Sequence, residues 1–216
     1  MKLPPWRQNL VSSYDHAAER YAETFFNELD RKPFDRALLD KFADDVRGRG
    51  RVCDLGCGPG HISRYLKARG VDIFGVDLSS GMVEVASRLN PDLSFRQGDM
   101  LALDLPDHTL SGIIAFYSLI HLPRNSVPRA LQEIHRVICP DGLLLISFHG
   151  GEGEIHTDEF LGLPIPMDAT LFQPEEMAGY VRQAGFSLAD IAIRQPYEFE
   201  YQSTRIYITA MKRDAV

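Results

Sequence analysis

The chain has 216 residues, 44% of them apolar, and a formal net charge of −7. That length suits one domain, 1–216, with a sizeable core, and no apolar run approaches the roughly 18 residues that cross a bilayer, so no membrane partner is expected. The acidic balance argues against nucleic acid, which is bound through cations that displace counterions, and Met1–Leu10 holds no apolar signal core, so a cytoplasmic protein is expected.

Two helical stretches come first. Over Ser12–Leu29, Tyr14, Ala17, Ala18, Tyr21 and Phe25 recur at spacings of three or four and share a face. Pro33 is placed to start a second helix, with Phe34, Leu38, Phe42 and Val46 on its apolar side. Arg47, Arg49 and Arg51 read as a solvated loop. From there short apolar runs alternate with amphipathic ones. Strands are expected over Arg51–Leu55, Asp72–Val76, Leu93–Arg96, Gly112–Tyr117 and Leu143–Phe148, and helices over His61–Arg69, Ser80–Leu89 and Val127–Ile138. This alternation predicts an α/β fold, a doubly wound and mostly parallel sheet with helices on both faces. Gly150–Phe172 has no clear period and reads as a long functional loop. A helix follows over Pro174–Ala184, ended by Gly185, and then strands over Leu188–Arg194 and Thr204–Met211. Their linker is too short for a helical crossover, so the last strand runs antiparallel.

The chemistry concentrates at Val52-Cys53-Asp54-Leu55-Gly56-Cys57-Gly58-Pro59-Gly60. An apolar strand ends in an acid, a turn carries glycine at every second position, and a helix begins. The dinucleotide fingerprint G-x-G-x-x-G is met at Gly56 and Gly58, but the third glycine comes one residue early, at Gly60. Asp54 would sit poorly beside a pyrophosphate and suits a cofactor with an amino group or positive charge. Asp77, ending the next strand, can accept hydrogen bonds from both hydroxyls of a ribose. The three cysteines, Cys53, Cys57 and Cys139, lack framework spacing and read as reduced thiols, and nothing completes a metal site around the C-x3-C pair.

On these motifs the chain resembles the class I S-adenosylmethionine-dependent methyltransferases of small-molecule type (methyltransferase domain 11/25-like). The acidic strand end with G-x-G-x-G, the acid in Gly75-Val76-Asp77-Leu78-Ser79, and the acid in Gln97-Gly98-Asp99-Met100 match the family's three ordered motifs over about residues 36–150. The resemblance implies a seven-stranded Rossmann-like sheet of order 3-2-1-4-5-7-6, with the seventh strand antiparallel and lid helices at the N-terminus. It implies S-adenosyl-L-methionine as cofactor and S-adenosyl-L-homocysteine as product. Asp77 would hold the ribose, Asp99 the adenine amino group, and Met100 would pack near the base. Gly56, Cys57, Gly58 and Gly60 would form the methionine-side turn supported by Asp54. Leu78, Met82 and Phe116 would line the site, with Tyr14 and Tyr21 closing over it from a lid at 1–32. The family's acid before the fourth strand is missing; Leu110-Ser111-Gly112 stands there.

Methyl transfer to a weakly acidic acceptor calls for a base, and His121, just past the fourth strand, is the candidate. Its alternative role is to shape the loop beside the cofactor. His149, His156 and Tyr197 are candidates for the acceptor side, with the insertion 149–173 setting acceptor choice. Tyr197, Phe199 and Tyr201 alternate with Glu198 and Glu200, which predicts aromatics on one face and acids on the other. The expected partner is a small-molecule methyl acceptor, and the protein is expected as a monomer or homodimer. Two rivals stand beside this reading: a nicotinamide-dependent oxidoreductase and a non-catalytic adenosylmethionine-binding module.

Overall fold

The computed structural model describes residues 4–213. Helix α1, Pro5–Phe25, starts seven residues before the expected Ser12, because Pro4 and Pro5 supply an extended cap and a proline first turn. Helix α2, Pro33–Val46, also opens on proline and buries Leu39, Phe42, Ala43 and Val46. Then come β1 (Val52–Leu55), α3 (His61–Lys67), β2 (Ile73–Asp77), α4 (Ser80–Leu89), β3 (Ser94–Gln97), β4 (Leu110–Phe116), α5 (Val127–Val137) and β5 (Ile138–Gly150). The chain ends with β6 (Glu154–Thr157), β7 (Met167–Thr170), α6 (Pro174–Gln183), β8 (Phe186–Arg194) and β9 (Thr204–Lys212).

Seven strands form one sheet of order β3-β2-β1-β4-β5-β9-β8. The first five are parallel, and β9 runs antiparallel to both β5 and β8. This is the expected topology. β1 is buried throughout and β4 nearly so, as strands covered on both faces must be. On one face Leu39, Phe42, Ile62 and Leu66 from α2 and α3 pack on Ile73, Ile114 and Leu145. On the other, Leu131, Ile134 and Val181 from α5 and α6 pack on Ile113, Leu144 and Phe148. Helix α1 lies apart from these layers and buries Ala18 and Ala22 against Met82 and Val85 of α4.

Two expectations need correction. Gly150–Phe172 is not a structureless loop: β6 and β7 pair antiparallel within it. Strands of four residues, broken by glycine and proline, leave no readable alternation. The hairpin is tied down where Ser13 Oγ donates to the Pro166 carbonyl at 2.9 Å and Thr170 Oγ1 to that of Leu122 at 3.0 Å. Residues 195–203 are not strand either, so the alternation of aromatics and acids does not hold. Tyr197 and Phe199 stack on each other, while Glu200 is buried among cations.

Gly60 caps α3 with φ +80°, and a Cβ there would lie 2.6 Å from the Phe95 ring and 2.8 Å from Asn90 Nδ2. Both the left-handed backbone and the close neighbours demand glycine. Gly60→Ala is expected to cost about 2 kcal/mol through strain and overpacking. A urea titration should show a lower midpoint with an unchanged slope; an unchanged midpoint would mean that Phe95 and Asn90 move aside freely.

Candidate functional site

The carboxyl ends of β1, β2 and β4 bring the glycine turn, Asp77 and Phe116 to one edge of the sheet, where ligands bind in open α/β folds. The turn is fastened by its own backbone: the Gly56 and Cys57 amides donate to the Val76 carbonyl at 2.7 and 3.1 Å. Gly56 has φ +75°, and a Cβ there would overlap the Ser118 side chain, whose hydroxyl donates to the Leu55 carbonyl at 2.7 Å. Asp77 accepts from the Gly58 amide on one oxygen and the Ser79 amide on the other, each at 2.9 Å. Burial pushes its carboxyl up, and the two amides oppose that push.

A cavity opens over this edge. Gly56, Gly58, Asp77, Leu78, Met82, Met100 and Phe116 line its sheet side, and Trp6, Arg7, Leu10, Val11, Tyr14 and Tyr21 of α1 close it from above. Helix α1 is pinned there by Asp15, which accepts from Ser79 Oγ at 2.6 Å and from the Gly81 amide at 2.8 Å. Arg88 grips Glu19 at 2.6 Å, and Arg7 pairs with Asp99.

The donor set fits an adenosine joined to an amino acid. Each Asp77 oxygen keeps a free lone pair for a ribose hydroxyl. Leu78, Met82 and Met100 give an apolar bed for a purine. Gly58 (φ +51°) leaves open space beneath Tyr21, which a Cβ would enter at 3.7 Å from the ring. A pyrophosphate fits poorly: Arg7 is the one Lys or Arg on the described wall, and Asp99 already neutralises it.

Four sequence candidates lie off the cavity wall. Asp54 is buried behind the turn and accepts from Ser63 Oγ at 2.6 Å. The Cys57 thiol faces the Gly58 carbonyl at 3.7 Å. Gly60 packs on Phe95, as described. Asp99 is occupied by Arg7 and by the Leu101 amide at 2.8 Å, although Gly98 and Met100 on either side reach the wall.

Asp54 has a measurable consequence. Burial raises its carboxyl from 3.8 to about 6, against the pull of the Ser63 hydrogen bond. Between those two values the folded protein keeps a proton that the unfolded chain has lost. Stability therefore falls as pH rises through that window, by up to about 3 kcal/mol. In the ligand-free protein, Asp54→Asn keeps an acceptor for Ser63 and is expected to raise the melting temperature above pH 7 but not at pH 4. An equal shift at both pH values would contradict a buried charge.

A second cavity, of ≈ 740 Å³, adjoins the first through Tyr14, Tyr21, Tyr117 and His121, which line both. His121 Nε2 lies 2.6 Å from the Tyr14 hydroxyl and Nδ1 lies 2.9 Å from the Asp168 carbonyl of β7. Burial lowers its pKa, and the Asp168 carbonyl opposes that. His149 lies on the wall of the same cavity; its Nδ1 contacts Arg205 and sits 2.7 Å from Ser203 Oγ. Its neighbours Phe199, Glu200 and Tyr201 line the cavity, but Tyr197 instead accepts from the Phe34 amide at 3.3 Å. His156 is exposed on the hairpin and pairs with Asp168 at 2.6 Å, away from both cavities.

Sequence reasoning missed Tyr117 and the ionic cluster behind it. Tyr117 has φ +52°, a strained value for a non-glycine residue. It is held by the Ser147 carbonyl at 3.1 Å and by the Tyr207 hydroxyl at 3.0 Å. Lys32 bridges Glu28 (2.7 Å) and Glu200 (3.0 Å), and Arg194 bridges Glu200 (2.6 Å) and Asp35 (2.8 Å). No local spacing signals contacts between residues 159 positions apart.

Comparison with known proteins agrees with this geometry. A methyltransferase-domain family model matches residues 52–142, the span that holds the glycine turn, Asp77 and Asp99. The chain carries a methyltransferase domain. Among curated methyltransferases it is 32% identical over 146 residues to malonyl-[acyl-carrier protein] O-methyltransferase of Enterobacter lignolyticus, covering 67% of this chain and 55% of that protein. It is 33% identical over 145 residues to demethylmenaquinone methyltransferase of Beutenbergia cavernae, covering 64% and 57%. The chain thus spans about half the length of the curated methyltransferases it matches. A solved methyltransferase from Methanosarcina mazei shares the fold at a TM-score of 0.70 and 17% identity, over 76% of this chain and 92% of that one.

Proposed function

We propose that the protein transfers a methyl group from S-adenosylmethionine to a small-molecule acceptor and releases S-adenosylhomocysteine. One observation carries this reading. A cavity with Asp77 on its wall adjoins, at Tyr14 and His121, a second cavity with polar groups of its own. A module that only bound the cofactor would need no second chamber.

The cofactor supplies an electrophilic methyl group on a sulfonium, and the protein's task is to position, to exclude water and to manage a proton. Asp77 would hold the ribose, and Leu78, Met82 and Met100 the base. Gly56 and Gly58 would let the backbone approach the amino-acid part, with Phe116 beside it. Tyr14 and Tyr21, on a lid formed by 1–32, would cover the reacting centre. His121 would serve as base. The insertion 149–173, with His149 on the cavity wall, would set acceptor choice. Asp99 would reach an adenine amino group only by sharing its carboxylate with Arg7.

On this reading residues 1–216 act as one methyltransferase domain, as a monomer or homodimer. The three free thiols fit a cytoplasmic setting. Among the described residues no helix is long and apolar enough to cross a membrane. The negative net charge makes nucleic acid an unsuitable acceptor. The acceptors named for the relatives, malonyl-acyl-carrier protein and demethylmenaquinone, are the first to assay. Incubation with S-adenosylmethionine and a metabolite extract should produce S-adenosylhomocysteine above a protein-free control. Tight binding of S-adenosylmethionine without that product in any extract would favour the binding module.

A further inference from the structure

The two histidines on the outer cavity hold opposite tautomers. His121 Nδ1 faces the Asp168 carbonyl, which only accepts, so Nδ1 carries the ring proton. Nε2 then offers a lone pair and takes the Tyr14 O–H at 2.6 Å. His149 is the reverse. Its Nδ1 faces the Arg205 guanidinium, which only donates, and the Ser203 hydroxyl. Its proton therefore lies on Nε2, which has no partner among the described residues. Burial and the nearby Arg205 keep this ring neutral, with its pKa pushed down to about 3.

The rest of the wall narrows the occupant. Its buried charges are already matched: Lys32 lies between Glu28 and Glu200, and Glu200 also faces Arg205. Arg31 and Glu159, which also line the cavity, are exposed at its rim, so an ionic acceptor would find no unpaired charge in the buried part of the wall. Tyr14, Tyr21, Phe25 and Phe160 present ring faces and edges within about a ring's width of one another, Tyr21 and Phe25 at 4.5 Å and Tyr14 and Phe160 at 6.2 Å. Such a wall suits a planar molecule. A neutral imidazole is a weak base. It can take a proton from a phenol-like hydroxyl of pKa about 10 but not from an alcohol near the value of about 16 for water.

We infer that the acceptor is an uncharged, planar phenol or enol that also carries a carbonyl, its hydroxyl on Tyr14 and its carbonyl oxygen on His149 Nε2–H. The inference rests on the methyl-transfer reading and specifies its acceptor. The acceptor's hydroxyl proton passes to the Tyr14 oxygen as the Tyr14 proton passes to His121 Nε2. Tyr14 ends neutral, His121 becomes imidazolium with Nδ1–H still on Asp168, and the acceptor is left as a nucleophilic oxyanion. Burial raises the Tyr14 pKa well above its ordinary value, so the two transfers occur together rather than through a standing phenolate.

The test uses the full chain without S-adenosylmethionine, so it fails separately from cofactor binding. Long-range proton–nitrogen NMR near neutral pH should show a pyridine-type nitrogen at Nε2 of His121 and at Nδ1 of His149. Calorimetry then compares 2′- and 3′-hydroxyacetophenone with acetophenone, phenol and salicylate. The better hydroxyacetophenone should bind about tenfold more tightly than acetophenone or phenol, the gain of one further hydrogen bond. His149→Leu should abolish the advantage over phenol, and Tyr14→Phe the advantage over acetophenone. The parent protein alone decides the matter if a variant fails to fold. Either tautomer reversed, equal binding of the neutral probes, or tightest binding by salicylate would overturn the inference.

Discussion

Asp77→Ala is expected to weaken S-adenosylmethionine binding by at least about 100-fold. Each ribose hydroxyl would donate to one carboxylate oxygen, and hydrogen bonds to a charged group contribute about 1.5–3 kcal/mol apiece. Two of them lost exceed 2.8 kcal/mol at the low end, and every 1.4 kcal/mol is about a factor of ten. Asp77 also braces the turn, since its oxygens accept the Gly58 and Ser79 amides at 2.9 Å. Part of the loss therefore comes from a looser turn. Asp77→Asn separates the two effects, because one oxygen remains for an amide while the charge and one acceptor go. Its affinity should fall between parent and Asp77→Ala. Calorimetric titration of all three proteins reads this directly, and equal affinities would remove Asp77 from the site.

Glu200→Gln should be the most damaging change to stability. The side chain is 3% exposed and faces Lys32, Arg194 and Arg205 at 3.0, 2.6 and 3.7 Å. Burial pushes its carboxyl up, but Arg194, the Tyr197 amide and Lys32 outweigh burial and hold it at about 2. Its folded value lies below the unfolded one. The stabilisation is therefore complete above pH about 5 and is lost as pH falls towards 2. Gln leaves three cations facing only Glu28 and Asp35. Breaking a buried pair from one side costs about 3–5 kcal/mol, which for this chain length lowers the melting temperature by about 6–20 °C. Lys32→Met added to Glu200→Gln should recover part of that loss. A melting temperature within about 2 °C of the parent's would show that the cluster is better solvated than its burial implies.

The features that were legible in the sequence are those set by local backbone need. Gly56 and Gly60 are glycine because the turn takes positive φ against Ser118 and Phe95, and Asp77 stands where a strand ends. The antiparallel β9 followed from a linker too short to cross the sheet. The Glu200 cluster was hidden because its members run from Lys32 to Arg205, and no spacing encodes contacts that only the closed sheet creates. His149 and His156 looked alike as residues. Their surroundings separate them: one faces a guanidinium at a cavity wall, and the other pairs with Asp168 in solvent. Arg7 escaped notice for a similar reason, since its pairing with Asp99 exists only once α1 lies across the end of the sheet.

What occupies the cavity between the glycine turn and α1 decides the function. A crystal structure with S-adenosylhomocysteine tests this most directly. The ribose hydroxyls are expected on the two Asp77 oxygens, the purine against Leu78 and Met100, and the thioether sulfur beside Tyr14 on the side of the outer cavity. A ligand bound elsewhere, or bound here with Asp77 left free, would contradict it.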